Sequence, residues 1–122
     1  MDILGITIWR EARGEGRPGM EGVYSVICNR ASVIHHQWPN DVEKVCLQSY
    51  QFSCWNNNDP QRNLYPASDD HQYQIAKDIC NGILHDPTLG ATAYFDDSIK
   101  PPIWAIPDKF TVKIGRLNFY KI

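Results

Sequence analysis

The chain has 122 residues, the size of one domain, and its 12 lysines and arginines nearly balance its 14 aspartates and glutamates. Proteins dedicated to nucleic-acid binding carry an excess of positive charge, so the net charge of −2 argues against that class. Hydrophobic residues make up 43% of the chain, which is enough for a folded core, yet no apolar run approaches the ~20 residues of a membrane span. We predict one domain over residues 1–122, monomeric and without a membrane-spanning segment.

The N-terminal residues indicate whether the protein is exported, and the cysteine spacing indicates whether it binds a metal. Residues 1–4 contain neither a basic segment nor a small-residue cleavage site, so we predict synthesis in the cytoplasm without a secretory signal. The cysteines lack the CxxC spacing of zinc clusters, and we predict no metal and no cofactor. Without an export signal, we expect free thiols at Cys28, Cys46, Cys54 and Cys80.

Apolar residues recur at helical spacing in the first part of the chain. A first helix is predicted over residues 3–13, ending at Gly14, although the same stretch also alternates as a strand would. The glycines of residues 14–19 predict a loop. A second helix is predicted over residues 19–32, because one apolar stripe runs along it: Met20, Val23, Tyr24, Ile27, Cys28 and Ala31.

Two further helices are predicted in the middle of the chain. Residues 40–43, Asn-Asp-Val-Glu, resemble a capping box that opens a short helix with Val42, Val45 and Cys46 facing inward. The next helix is predicted to begin at Ser68 or Asp69 and to stop at His85-Asp86-Pro87. Its predicted buried face consists of Ile75, Ala76, Ile79, Cys80, Ile83 and Leu84.

The four histidines show no metal-ligand spacing. His35 and His36 lie in a connector before Trp38, while His71 and His85 fall in the first and last turns of the fourth predicted helix. We interpret His35 and His36 as surface or groove residues, and His71 and His85 as surface residues.

The last third of the chain predicts β structure. Residues 86–90 form a turn, residues 91–95 an extended segment, and residues 101–104 a rigid loop that presents an aromatic side chain. Alternating apolar residues on both sides of Gly115-Arg116 predict a closing hairpin. The predicted fold class is therefore α+β, mainly helical, with a small β-hairpin region near the C-terminus.

Glu11 is the candidate catalytic residue. In a helix over residues 3–13 it follows Ile8 by three positions and Leu4 by seven, so its carboxyl group points off the last turn of an apolar face. Desolvation there raises the pKa of a carboxyl group, and glycosidic-bond cleavage needs a carboxylic acid that stays protonated near neutral pH. The alternative is an ordinary solvated helix end.

The aromatic, amide-rich segment 51–60 is the candidate sugar-binding loop. Its flat side chains can stack on sugar rings, and its Asn and Gln amides can bind hydroxyl and acetamido groups. A well-packed structural loop would use the same residues.

Short motifs then follow one another along nearly the whole chain. They are Trp9-Arg10-Glu11-Ala12-Arg13-Gly14-Glu15, Gly19-Met20-Glu21-Gly22-Val23, Cys28-Asn29-Arg30, Trp38-Pro39-Asn40, Gln51-Phe52-Ser53-Cys54-Trp55, Asp86-Pro87-Thr88, Gly90-Ala91, Tyr94-Phe95, Pro102-Ile103-Trp104, Ile114-Gly115 and Phe119-Tyr120. In this order they resemble the cell-wall hydrolase family typified by the spore cortex-lytic enzyme SleB.

The resemblance implies a lysozyme-like domain that acts on peptidoglycan glycan strands as a lytic transglycosylase or muramidase. It assigns the catalytic acid to Glu11. We interpret Arg13 and Glu15 as supporting residues, with Glu15 as a loop carboxylate that pairs with Arg13 or Arg17. The resemblance also implies a substrate groove lined by Gln51, Phe52, Ser53, Trp55, Tyr94, Trp104 and Tyr120.

The chain departs from the family pattern at two places. Leu117 stands where the family ending has a histidine, and Asp96 and Asp97 follow Tyr94-Phe95 where other polar groups are expected. With no wall-binding domain attached, such a module resembles a phage lysis or virion enzyme.

The predicted reaction cleaves the β-1,4 bond between N-acetylmuramic acid and N-acetylglucosamine with Glu11 alone as acid and base. If Glu11 deprotonates water in place of the sugar's own C6 hydroxyl, hydrolysis results. A glycosidase with two carboxylates would need a partner, for which Glu15, Asp96 and Asp97 are candidates. One rival is a cysteine peptidase or amidase that uses Cys54, whose Ser-Cys-Trp context resembles papain-like enzymes. Another is a non-catalytic peptidoglycan-binding module with the same groove.

Overall fold

The computed structural model describes residues 1–33, 37–48, 51–83 and 85–122. Within these ranges four α-helices precede three β-strands: α1 (Ile3–Ala12), α2 (Gly16–Ser32), α3 (Val42–Leu47), α4 (His71–Asn81), β1 (Ala93–Asp96), β2 (Phe110–Ile114) and β3 (Leu117–Tyr120). Short 3-10 turns lie at Arg13–Glu15, Ser53–Trp55, Pro60–Asn63 and Pro107–Lys109. The predicted mainly helical α+β class is confirmed. No helix in the described ranges has the length and apolar character needed to cross a membrane.

Aspartate side chains cap three of the helices. Asp2 accepts a hydrogen bond from the Gly5 amide (3.0 Å) at the start of α1, and Asp41 accepts one from the Lys44 amide (3.0 Å) at the start of α3. The predicted short helix after residue 40 is thus confirmed, but its cap is Asp41 and not Asn40, the first residue of the predicted capping box. For α4 the predicted caps, Ser68 and Asp69, are wrong, because it is Asp70 that accepts from the Tyr73 amide (2.9 Å).

The junction of α1 and α2 differs from the prediction of a loop over residues 14–19. Helix α1 ends at Ala12 rather than beside Gly14, a single 3-10 turn follows, and α2 already begins at Gly16. Gly16 adopts a positive φ of 73°, which turns the chain sharply at little steric cost. Pro18 then falls in the first turn of α2, where its missing amide proton breaks no helical hydrogen bond.

Helix α4 is shorter than predicted. It ends at Asn81 and is followed by the extended residue Gly82, a poor helix former, so it does not reach the predicted stop at His85. Ile83, predicted on the buried face, is instead 100% exposed. Leu84, His35 and His36 lie outside the described residues.

The three strands form one antiparallel sheet in the order β1-β3-β2. The predicted hairpin of β2 and β3 is confirmed, with Lys113 opposite Asn118 and a positive φ of 57° at Gly115 in the turn. Strand β1 pairs with the other side of β3, so that Tyr94 lies opposite Phe119. The predicted extended segment is therefore part of the sheet.

One hydrophobic core joins the helices to the sheet. Its buried members come mainly from α1, α2, α3, α4 and β3, and include Ile8, Met20, Val23, Val26, Ile27, Val45, Ala76, Ile79, Leu117 and Phe119. All four cysteines are free thiols, as predicted. Cys46 and Cys54 are buried in this core, Cys80 is partly buried at its edge, and Cys28 is also partly buried.

Helix α2 lies directly against β3 at Gly22. A Cβ atom added there would lie 2.5 Å from Cζ of the Phe119 ring, well inside contact distance. The absence of a side chain at this position therefore sets how closely the helix approaches the sheet.

We expect Gly22→Ala to lower the free energy of unfolding by about 1–3 kcal/mol, because the buried ring has no room to retreat. The control is Gly14→Ala, where an added Cβ meets nothing within 4 Å. Urea unfolding of both variants gives the comparison. Wild-type stability of Gly22→Ala would show that the helix and sheet can move apart without cost.

Candidate active site

An open cleft of about 370 Å³ lies between the helices and the first strand. Its floor and walls come from the end of α1, from α2, from the segment after residue 50 and from β1 with the loop that follows it. The lining residues are Glu11, Arg30, Gln51, Phe52, Ser53, Tyr94, Phe95, Asp96, Ile99 and Pro102.

Glu11 projects into this cleft from the last turn of α1 and is partly buried. Burial is the main cause that raises the pKa of its carboxyl group. Hydrogen bonds act against this rise: the Tyr94 hydroxyl donates to Oε1 (2.9 Å), and the thiol and backbone of Cys54 add weaker contributions. The group is thus an acid with an elevated pKa held in a fixed orientation beside open space.

Tyr94 is a hydrogen-bond donor that stays protonated. Burial, reinforced by the Glu11 carboxylate, raises the pKa of its hydroxyl well above the ordinary value. Its ring packs on Phe119 with 5.9 Å between centroids, and the two residues are paired across β1 and β3. The sheet therefore fixes the donor that orients Glu11.

Arg10 anchors the loop that forms the far wall. Its side chain is 3% exposed and donates to the backbone carbonyls of Cys54 (3.2 Å), Arg62 (3.1 Å) and Leu64 (3.0 Å). The guanidinium also stacks over the Trp55 ring at 4.3 Å. Because Arg10 and Glu11 are adjacent on α1, the same helix end holds the loop and presents the acid.

Two charged residues, Arg30 and Asp96, line the cleft in addition to Glu11. Arg30, known from the sequence only as part of a motif, is 7% exposed and lines the cleft. Asp96 also lines it, and a hydrogen bond from the Ser98 amide (2.7 Å) is the main cause that lowers the pKa of its carboxyl group. Asp97 instead accepts from Lys113 (2.6 Å) outside the cleft lining.

The predicted groove residues separate into two groups. Gln51, Phe52, Ser53 and Tyr94 line the cleft together with Glu11. The other three belong to structural clusters beside it: the Trp55 indole donates to Thr7 Oγ1 (2.7 Å), and Trp104 and Tyr120 contact each other with ring centroids 5.6 Å apart. Both of these rings also contact Phe95, so they support the cleft wall from behind.

The two predicted supporting residues stabilise the helix end. Arg13 donates to the carbonyls of Trp9 (3.2 Å) and Arg10 (3.3 Å) and stacks over the Trp9 ring at 4.2 Å. The predicted pairing of Glu15 with the side chain of Arg13 or Arg17 is wrong. Glu15 accepts from the backbone amide of Arg116 (3.2 Å), because the hairpin turn reaches the start of α2.

Cys54 is poorly suited to act as a nucleophile. It is 1% exposed, and burial together with the neighbouring Glu11 carboxylate raises the pKa of its thiol far above the ordinary value. A thiolate, the nucleophilic form, is therefore disfavoured. Among the described residues no group of three His, Cys, Asp or Glu side chains is arranged to hold a metal ion.

We expect Glu11→Gln to stabilise the fold at high pH. A raised pKa means that Glu11 favours folding below its unfolded-state pKa, and that this contribution is lost as the pH rises through the folded-state value. Glutamine cannot ionise, so the Tm of the variant should exceed that of wild type by more at pH 8 than at pH 4. Exposed Glu43→Gln is the control, and a Tm difference independent of pH would contradict the raised pKa.

Comparison with known proteins places the chain in a family. The sequence profile described as Cell Wall Hydrolase matches residues 14–120. The crystal structure of the catalytic domain of the Bacillus cereus SleB protein is 28% identical with a TM-score of 0.75, and the match covers 98% of this chain and 88% of that one.

The catalytic domain of the germination-specific lytic transglycosylase SleB from Bacillus anthracis is also similar, at 28% identity and a TM-score of 0.74. That match covers 98% of this chain and 92% of the Bacillus anthracis domain. No curated protein sequence matches the chain. The fold is that of the SleB catalytic domain, and the chain belongs to the cell wall hydrolase family.

Proposed function

We propose that the protein cleaves peptidoglycan glycan strands at the β-1,4 bond between N-acetylmuramic acid and N-acetylglucosamine, as a lytic transglycosylase. The observation that carries this proposal is Glu11, an acid of raised pKa that lines an open cleft and is held by the Tyr94 hydroxyl. The family assignment and the likeness to a domain described as a lytic transglycosylase support the same reaction. Because the family match begins at residue 14, the role of Glu11 rests on its geometry.

The first step is proton donation from Glu11 to the leaving glycosidic oxygen. As the bond between this oxygen and the anomeric carbon of N-acetylmuramic acid breaks, positive charge develops on the ring. A carboxylic acid with a raised pKa stays protonated at a higher pH than an ordinary one, and so it retains its proton for this step.

The second step uses the same residue as a base. The Glu11 carboxylate takes the proton from the C6 hydroxyl of the muramic acid ring, and the freed oxygen bonds to the anomeric carbon. The products are a 1,6-anhydro sugar and a new N-acetylglucosamine end, and the proton is back on Glu11. The Tyr94 hydroxyl donates to the carboxylate between the two steps, which keeps it in place.

Asp96 favours hydrolysis as a second candidate reaction. Its carboxyl group lines the same cleft but has a lowered pKa, whereas the pKa of Glu11 is raised. Two carboxyl groups with pKa values shifted in opposite directions are typical of a glycosidase that activates water. Asp96 would then position the attacking water, and the product would carry a reducing end.

The rival functions have less support. A Cys54 peptidase would need a thiolate at a residue that is 1% exposed and has a raised thiol pKa. A non-catalytic binding module would have no use for a partly buried acid that costs folding free energy when it ionises. Neither rival accounts for the hydrogen bond between Tyr94 and Glu11.

We expect Glu11→Gln to lower the rate of peptidoglycan cleavage by at least about 100-fold, because general acid catalysis is lost while the Tyr94 hydrogen bond can be kept. Clearing of a purified cell-wall suspension measures the rate, with Cys54→Ser as the matched variant that should stay active. In wild type the rate should fall as the pH rises through the raised pKa of Glu11. Near wild-type clearing by Glu11→Gln would end the proposal.

Mass spectrometry of the digested glycan decides between the two reactions. Wild type should release 1,6-anhydro sugars, and Asp96→Asn should leave the product unchanged with a rate within about threefold, a change of under 1 kcal/mol. Reducing-end products in wild type, lost together with activity in Asp96→Asn, would instead establish hydrolysis. Asp97→Asn is the control, since Asp97 does not line the cleft.

A further inference from the structure

Arg30 is a buried cation at the cleft wall. Its Nε donates to the Thr92 carbonyl (2.6 Å) and Nη1 to Gln51 Oε1 (3.4 Å). The guanidinium lies over the rings of Trp38 and Phe52, at 5.3 Å from each centroid. The side chain is thus held in one orientation from several directions although it belongs to no predicted catalytic group.

No acidic side chain of the described ranges forms an ion pair with Arg30. A guanidinium remains charged in proteins even when burial lowers its pKa, as it does here. Within the same ranges no hydrogen bond is made by Nη2, and the Arg30 side chain lines the cleft. Donor capacity and charge are therefore both available to a bound molecule.

Strand β1 relates Arg30 to Glu11. The segment leading into it places Thr92, which holds Arg30, two residues before Tyr94, which holds Glu11. Arg30 and Glu11 also line the same cleft. A molecule bound in this cleft can therefore contact both side chains.

We propose that Arg30 binds the free carboxylate of the lactyl group on the muramic acid ring whose glycosidic bond Glu11 protonates. The proposal rests on the proposed function, and it assigns the substrate as glycan strands without stem peptides. A carboxylate matches the planar fork of a guanidinium and neutralises its charge. In strands that bear peptides the same carbonyl is part of an amide, which has no charge to offer.

The inference also places the reaction in a sequence. An amide hydrolysis that frees the lactyl carboxyl from the peptide must supply this substrate. The protein would then act on strands already stripped of peptide, after such an amidase reaction.

Binding to the inactive Glu11→Gln variant tests the proposal without turnover. The three probes are a peptide-free oligosaccharide of alternating N-acetylglucosamine and N-acetylmuramic acid, the same oligosaccharide with its lactyl carboxyls reduced to alcohols, and the same oligosaccharide with stem peptides. Isothermal titration should give a Kd about tenfold lower for the first probe than for either of the others. Equal Kd values for all three would overturn the assignment of Arg30.

A second variant assigns the preference to its residue. Adding Arg30→Gln should bring the Kd of the peptide-free probe to that of the reduced probe, while adding Arg17→Lys, an exposed substitution, should leave the tenfold preference in place. A preference that persists in a folded Arg30→Gln protein would refute the proposal. If that variant fails to fold, the three-probe comparison with Arg30 intact decides alone.

The two proposals fail in different ways. Cleavage of peptide-free and peptide-bearing strands at equal kcat/KM by wild type would remove the role of Arg30 and leave the proposed function in place. No cleavage and no binding of any probe would remove both.

Discussion

The hydrogen bond between the Tyr94 hydroxyl and the Glu11 carboxyl is the interaction on which the site depends. It joins the end of α1 to β1, the two elements that face each other across the cleft. Burial raises the pKa of Glu11, while this hydrogen bond limits the rise and fixes the direction of the carboxyl group. An acid that is both hard to ionise and well oriented is what proton donation to a glycosidic oxygen requires.

Two buried arginines make the rest of the cleft rigid. On one side of the cleft, Arg10 donates hydrogen bonds to three backbone carbonyls of the loop. On the other side, Arg30 donates to the Thr92 carbonyl next to β1. Loops carry unsatisfied backbone groups, and a planar guanidinium can satisfy several of them at once. The irregular wall is thus tied to α1 and α2, the same helices that contribute to the hydrophobic core.

Features set by neighbouring residues could be predicted from the sequence, whereas contacts between residues far apart along the chain could not. Glu11 could be found because helical spacing alone places it at the end of an apolar face, and the β2–β3 hairpin could be found from alternation around Gly115. The structural roles of Arg10 and Arg30 could not, because arginine is usually exposed and their acceptors lie far along the chain. The start of α2 was misplaced because Gly16 begins that helix after a sharp turn, where the glycines of residues 14–19 predicted a loop. The end of α4 was misplaced because the helix stops before Gly82, a poor helix former, and does not reach His85.

The central claim is that Glu11 keeps its proton at a higher pH than an ordinary glutamate. The most direct measurement is a carbon-13 NMR titration of the Glu11 side-chain carboxyl in the folded protein, repeated in Tyr94→Phe. The account predicts a midpoint above the usual glutamate range in wild type and a further rise in Tyr94→Phe, since the hydroxyl stabilises the ionised form. A wild-type midpoint at or below the usual range would contradict it.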